Sequence, residues 1–149
     1  MRKTAIMFAL LLGAGTAQAQ LPGLRKRGPA QPTQPVLQGI DAQRADFAAQ
    51  AGGTTVYYGA ESVILGAPAK AALGLQAAWL RRHPDVVVRI EGYGDSLDTR
   101  DHALAAGAAR AEEARNYLIL LGVPSAQVST TSWGKERSGL GRAVTVLVR

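Results

Sequence analysis

The chain predicts an α+β fold in which a mixed four-stranded sheet carries two helices on one face. Three observations lead there. Segments with helical spacing, near 68–82 and 99–121, alternate with β-branched or period-two segments at 54–58 and 86–91. Two further strand-like segments, 128–133 and 143–148, close the chain with only a short loop between them. The resulting order β-α-β-α-β-β favours one sheet covered by helices. A domain of about 96 residues (54–149) can bury a sufficient core without disulfide or metal staples.

Each element has a local reason. Thr54 to Tyr58 is β-branched and aromatic. Pro68 suits the first turn of a helix on which Leu73, Ala77 and Leu80 recur, with Arg81 and Arg82 favouring the dipole of its last turn. Val86, Val88 and Ile90 alternate with Val87, Arg89 and Glu91, a half-buried strand in which Glu91 faces away from the apolar stripe. Asp98 or Thr99 can cap the second helix. Its expected buried stripe is Leu104, Ala108, Ala111, Leu118 and Leu121, with Arg110, Glu112, Glu113 and Asn116 off it. Gly122 and Pro124 stop it. The last strand places Val144, Val146 and Val148 on one face, and the Gly-rich loop from Gly134 to Gly141 suits an antiparallel hairpin. Trp79, Tyr117 and Trp133 are expected to pack in the core.

The N-terminus points to export. Arg2 and Lys3 precede a short apolar run, and Ala17-Gln18-Ala19 is an A-x-A cleavage site, so residues 1–19 are expected to be a signal peptide. Residues 20–53 hold Pro22, Pro29, Pro32 and Pro35 among Gly and Gln, the composition of a flexible linker; within it, Asp41 to Gln50 could form a short helix ended by Gly52-Gly53. The expected mature protein is periplasmic and soluble.

Composition removes several function classes. The chain has no cysteine, hence no disulfide, thiol nucleophile, thiolate metal site or lipid-bearing cysteine. Two histidines, His83 and His102, form no ligand-spaced cluster, so no metal and no cofactor is expected. Ser96, Asp98 and His102 lie close in sequence, but no nucleophile elbow or oxyanion motif accompanies them, and the protein is expected not to be an enzyme. Without residues 1–19, 15 Lys and Arg face 11 Asp and Glu, a net charge of +4 shared between linker and domain. That is no nucleic-acid face.

The residues that suggest chemistry lie between Ile90 and Leu118. Asp95 follows Gly92-Tyr93-Gly94, where small residues allow close backbone approach to a ligand, and Arg110 lies two to three turns along the following helix. A carboxylate and a guanidinium near a helix start complement a zwitterion: ammonium on Asp95, carboxylate on Arg110, with N–H groups near Thr99 to Asp101 assisting and Arg142 adding charge at the rim. Taken alone, the same residues also fit a structural role, Asp95 fixing the turn and Arg110 pairing with Glu113 or Asp101.

The segment resembles the OmpA-like family, in particular its peptidoglycan-associated lipoprotein branch, whose pattern runs E-G-H-x-D-E-R-G-T-x-E-Y-N-x-x-L-G-x-R-R-A-N-A, then S-Y-G-K-E and R-R-A-V. Here stand Glu91-Gly92, Asp95, Thr99, Gly107, Arg110-Ala111 and Ala114, then Ser132-Trp133-Gly134-Lys135-Glu136 and Arg142-Ala143-Val144. Gln76 to Pro84 is similar to the family's first helix, and the resemblance extends over 54–149. It implies non-catalytic binding of peptidoglycan, with Asp95 and Arg110 holding the diaminopimelate of the stem peptide. The chain departs from the pattern at Tyr93 (His), Asp98 (Gly), Ala103 (Asn) and Ala60-Glu61 (Phe-Asp), has a shorter loop at 137–141 and lacks the lipid-bearing cysteine. Those departures keep a second expectation open: a protein-interaction module of the Tol envelope system with a degraded murein site.

Overall fold

The computed structural model describes residues 39–137 and 141–149. The expected signal peptide and residues 20–38 of the expected linker lie outside them. In chain order the elements are α1 (Ile40–Gln50), β1 (Thr55–Tyr57), α2 (Ala67–Arg82), β2 (Val88–Tyr93), α3 (Arg100–Leu120), β3 (Val128–Gly134) and β4 (Arg142–Leu147), with a 3-10 turn at Ser125–Gln127. The α+β class and the mixed four-stranded sheet are as the sequence predicts, with one more helix. No described helix is long and apolar enough to cross a membrane.

Helix α1 corrects the linker. Residues 40–51 belong to the folded unit, because Phe47 is fully buried against Trp79, ring edge to ring face at 5.1 Å. The Trp79 indole N–H donates to Asp46 at 2.7 Å, and Arg44 donates to the Leu147 carbonyl at 3.0 Å. Proline-rich composition ahead of the helix says nothing about a single aromatic anchor inside it, and that anchor finds its partner 32 residues away.

The sheet order is β1-β4-β2-β3. β4 runs antiparallel to both β1 and β2, while β3 lies parallel to β2. The expected β3–β4 hairpin therefore does not form: β2 stands between the two strands. Two valine-rich segments and a Gly-rich loop are compatible with a hairpin, but period-two patterning fixes faces and not partners. The consequence reaches the site, because the connection from Gly134 to Gly141 joins points on either side of the end of β2, where Asp95 follows.

Helices α2 and α3 cover the face of Val88 and Ile90, both fully buried. On β4 the helix-facing residues are Ala143, Thr145 and Leu147, each nearly inaccessible; Val144 and Val146 lie on the other face and are half-buried. Helix α3 also turns differently from its expected stripe. It buries Ala103, Gly107, Arg110, Ala111, Ala114 and Leu118, while Leu104 is half-exposed and Ala108 exposed. The reason is distance. A Cβ added at Gly92 would lie 1.8 Å from the Gly107 carbonyl oxygen, so helix and strand meet backbone to backbone and only small side chains fit between them. The glycines read as room for a ligand are occupied by α3 itself.

Candidate functional site

Asp95 and Arg110 do meet. Arg110 Nη2 donates to Asp95 Oδ2 at 3.0 Å. The rest of the guanidinium is held as firmly: Nη1 donates to the Tyr93 carbonyl and Nε to the Ser62 carbonyl, each at 2.9 Å. The Arg110 side chain has no solvent exposure, whereas that of Asp95 is 22 % exposed. The expectation that Arg110 sits off the buried face is thereby corrected. Its pairing with Glu113 or Asp101 is replaced by three acceptors from two other segments.

Those segments explain the enclosure. The turn at Glu61-Ser62 brings the Ser62 carbonyl to Arg110, with Glu61 in a left-handed conformation at φ 54°. Glu61 and Gly141 both donate backbone N–H groups to the Asp95 carboxylate, the latter at 2.9 Å. Gly141 has no room for a side chain: a Cβ there would lie 2.2 Å from Arg110 Nη1. From below, Tyr58 donates its hydroxyl to the Arg110 carbonyl at 2.7 Å. Burial first, and the carboxylate of Glu113 second, push the Tyr58 hydroxyl well up, so it remains a donor throughout the neutral range.

The other expected site residues are placed as follows. Thr99 is the N-cap of α3, its hydroxyl accepting from the His102 N–H at 3.3 Å. Asp98 instead faces the His102 ring at 3.0 Å, and His102 is on the surface. Asp101 is exposed in the first helical turn, where its charge suits the dipole. Arg142 is corrected: it stands beside Tyr93 on the sheet face away from α3, its guanidinium 4.2 Å from the ring centroid, across the sheet from Arg110. Ala103 is fully buried with its backbone beneath Gly94. Ser62, Gly141 and Tyr58 carry no signal in the sequence that links them to Asp95. Only the strand order brings them there.

The Asp95 carboxyl is held below its usual range, first by the hydrogen bond from Arg110; burial pulls the other way and is outweighed by the further N–H donors and the Arg110 charge. A group with a folded value below its unfolded one stabilises the fold above the unfolded value and loses that contribution as pH falls through the folded value. Stability should therefore decline below about pH 4. Asp95→Asn, which cannot titrate, should flatten that decline in urea unfolding at pH 6 and pH 3. An unchanged slope would show that Asp95 is solvated and unpaired.

The described fold and site define a small α+β domain built around a buried arginine that pins an ionised aspartate at a strand-to-helix turn. The pattern of the OmpA family matches residues 57–142, and the chain belongs to that family. It is 39 % identical over 106 residues to the peptidoglycan-associated lipoprotein of Rhizobium meliloti (strain 1021), a match taking in 64 % of this chain and 60 % of that relative's length. The counterpart from Mesorhizobium japonicum is 33 % identical over 137 residues, 88 % of this chain and 76 % of the relative. Among solved structures, the peptidoglycan-associated lipoprotein from Burkholderia pseudomallei aligns with a TM-score of 0.61 at 32 % identity, covering 64 % of this chain and 91 % of that one. The C-terminal domain of Helicobacter pylori MotB, at 19 % identity and a TM-score of 0.55 over 62 % of this chain and 81 % of that one, shares the fold. Among the described residues no group of three or more His, Asp or Glu side chains is placed to hold a metal.

Proposed function

We propose that the domain binds peptidoglycan without catalysis, through the diaminopimelate of the stem peptide, and helps to organise the cell envelope from the periplasm. The relatives' names and the matched motif support this reading. The observation that carries it is the state of Asp95: an ionised, partly exposed carboxylate fixed by Arg110, Gly141 and Glu61. Such a carboxylate takes a ligand ammonium without reorganising. Arg110 would take the ligand carboxylate only after the Glu61-Ser62 turn withdraws, since Ser62 and Tyr93 now hold two of its three nitrogens. N–H groups at the start of α3, capped by Thr99 and followed by Asp101, would then lie on the carboxylate side.

The test is co-sedimentation of the purified chain with isolated sacculi, beside Asp95→Asn, which keeps shape and removes charge. The parent should be retained, and the variant should need at least about ten-fold more sacculi, the loss of one charged hydrogen bond. Equal retention of a folded Asp95→Asn would remove Asp95 from the site. No retention of the parent would leave the second reading, a protein-interaction module such as the Tol system would use. Full burial of Arg110 favours that second reading.

A further inference from the structure

The turn that encloses Arg110 presents to the site the same two functions that a zwitterion would. Glu61 donates its backbone N–H to the Asp95 carboxylate, and the Ser62 carbonyl accepts from Arg110 Nε at 2.9 Å. A donor on the acid and an acceptor on the guanidinium are neutral counterparts of a ligand's ammonium and carboxylate. The remaining bonds of the pair do not involve the turn. Arg110 Nη1 donates to the Tyr93 carbonyl, Nη2 to Asp95, and the Gly141 N–H to Asp95 Oδ1. Withdrawal of the turn therefore leaves the pair assembled and opens one place on each partner.

The segment is built to move as a unit. The Ser62 N–H donates to the Gly59 carbonyl at 3.0 Å and the Ile64 N–H to the Ser62 hydroxyl at 3.1 Å, so the turn holds its own shape. Tyr58 at one end and Leu65 at the other are buried and anchor it. Between them Ala60, Glu61, Val63 and Ile64 are exposed, so side-chain packing contributes little to closure. Glu61 works against closure: at φ 54° it occupies the left-handed region, where a residue with a Cβ is strained. Among the described contacts, closure is carried by the bonds to Asp95 and Arg110. A ligand carboxylate meets Arg110 with a full opposite charge, where the Ser62 carbonyl offers only a dipole.

We propose that residues 59–64 form a self-inhibiting lid, a stand-in for the ligand carried by the chain itself. Closed, the lid leaves part of Asp95 open to an ammonium and keeps Arg110 from a carboxylate. Open, it yields Arg110 Nε to the ligand carboxylate. The inference rests on the diaminopimelate reading above and adds a regulation to it. Apparent affinity for a ligand with both charges scales with the fraction of open lid. A ligand with the ammonium alone depends on the lid much less.

Two substitutions at one exposed position separate closure from charge. Glu61→Val and Glu61→Gly both remove the carboxylate. The β-branched side chain disfavours the left-handed conformation and opens the lid, whereas glycine adopts it without strain. Urea unfolding, read from the buried Trp79 (Trp133, expected in the core, is more than one-third exposed), checks that both variants fold. The probes are the synthetic stem tripeptide ending in meso-diaminopimelate and its lysine counterpart, which keeps the side-chain ammonium and lacks the carboxylate beside it. In calorimetric titration Glu61→Val should bind the diaminopimelate peptide at least about five-fold more tightly than Glu61→Gly, the scale of strain at one residue, with a smaller ratio for the lysine peptide. In the ligand-free parent the Glu61 N–H should exchange for deuterium at least about ten-fold faster than the β2 amides, at a rate indifferent to low urea, as local opening requires. Equal ratios for the two peptides, no difference between the variants, or exchange of Glu61 only through global unfolding would overturn the lid and leave the binding reading standing. Binding of neither peptide by the parent or either variant would instead remove the diaminopimelate reading, and self-inhibition with it.

Discussion

Arg110→Ala should destabilise the domain by about 3–5 kcal/mol, the scale of breaking a buried ion pair. The substitution leaves the Ser62 and Tyr93 carbonyls and one Asp95 oxygen without their donor, the Tyr93 carbonyl buried and the other two half-buried. It also opens a cavity between Tyr58 and Gly141, both packed on the guanidinium. Arg110→Lys keeps the charge but cannot reach three acceptors that lie around a planar fork, so it should recover only part of the loss. Urea unfolding at pH 7 measures both. A loss under about 1 kcal/mol for Arg110→Ala is the behaviour of a surface pair. It would mean that the guanidinium is open to solvent and available to a ligand carboxylate as it stands. The outcome therefore bears on function as well: the larger the loss, the less a missing sedimentation signal in Arg110→Ala says about recognition, and the more the weight shifts to Asp95→Asn.

What the sequence revealed follows from the range of the interactions. Helices and strands are local, so Pro68, the cap at Thr99 and the stop at Gly122 all act where they stand in the chain. The acid–arginine pair was legible because both residues belong to one strand–turn–helix unit, and the family motif preserves their spacing. Strand partnership is not local. The valines of β4 and the Gly-rich loop fit a hairpin as well as they fit a strand inserted between β1 and β2. With the wrong partner, Gly141 could not be seen beside Asp95, nor Ser62 beside Arg110. The face of α3 was misread for a related reason: large apolar residues usually point inward, but here the helix lies so close to β2 that Leu104 is turned aside and Gly107 takes the inner position. A buried arginine surrounded by carbonyls leaves no hydrophobic signature at all.

That close approach carries the other large effect. Gly92→Ala should destabilise the domain by at least about 3 kcal/mol, the upper end of the usual range for overpacking. The added methyl would meet the Gly107 carbonyl oxygen at 1.8 Å and its carbon at 2.7 Å, and both belong to backbone that cannot rotate away. Relief requires α3 to withdraw from β2 by more than about 1 Å, given ordinary contact distances. Helix α3 carries Arg110, and Tyr93, whose carbonyl Arg110 holds, is the residue after Gly92. The same shift that admits the methyl therefore pulls the guanidinium from its acceptors and unpins Asp95. Gly107→Ala should be milder, because its new methyl would meet first the Ser132 hydroxyl, a side-chain atom. Pairing it with Ser132→Ala should restore part of the loss, whereas no single side-chain truncation should rescue Gly92→Ala. Denaturant midpoints of Gly92→Ala, Gly107→Ala and the Gly107→Ala/Ser132→Ala pair give the order. If Gly92→Ala unfolded within about 1 kcal/mol of the parent, strand and helix would not meet backbone to backbone, and the route by which β2 delivers Asp95 to Arg110 would have to be drawn again.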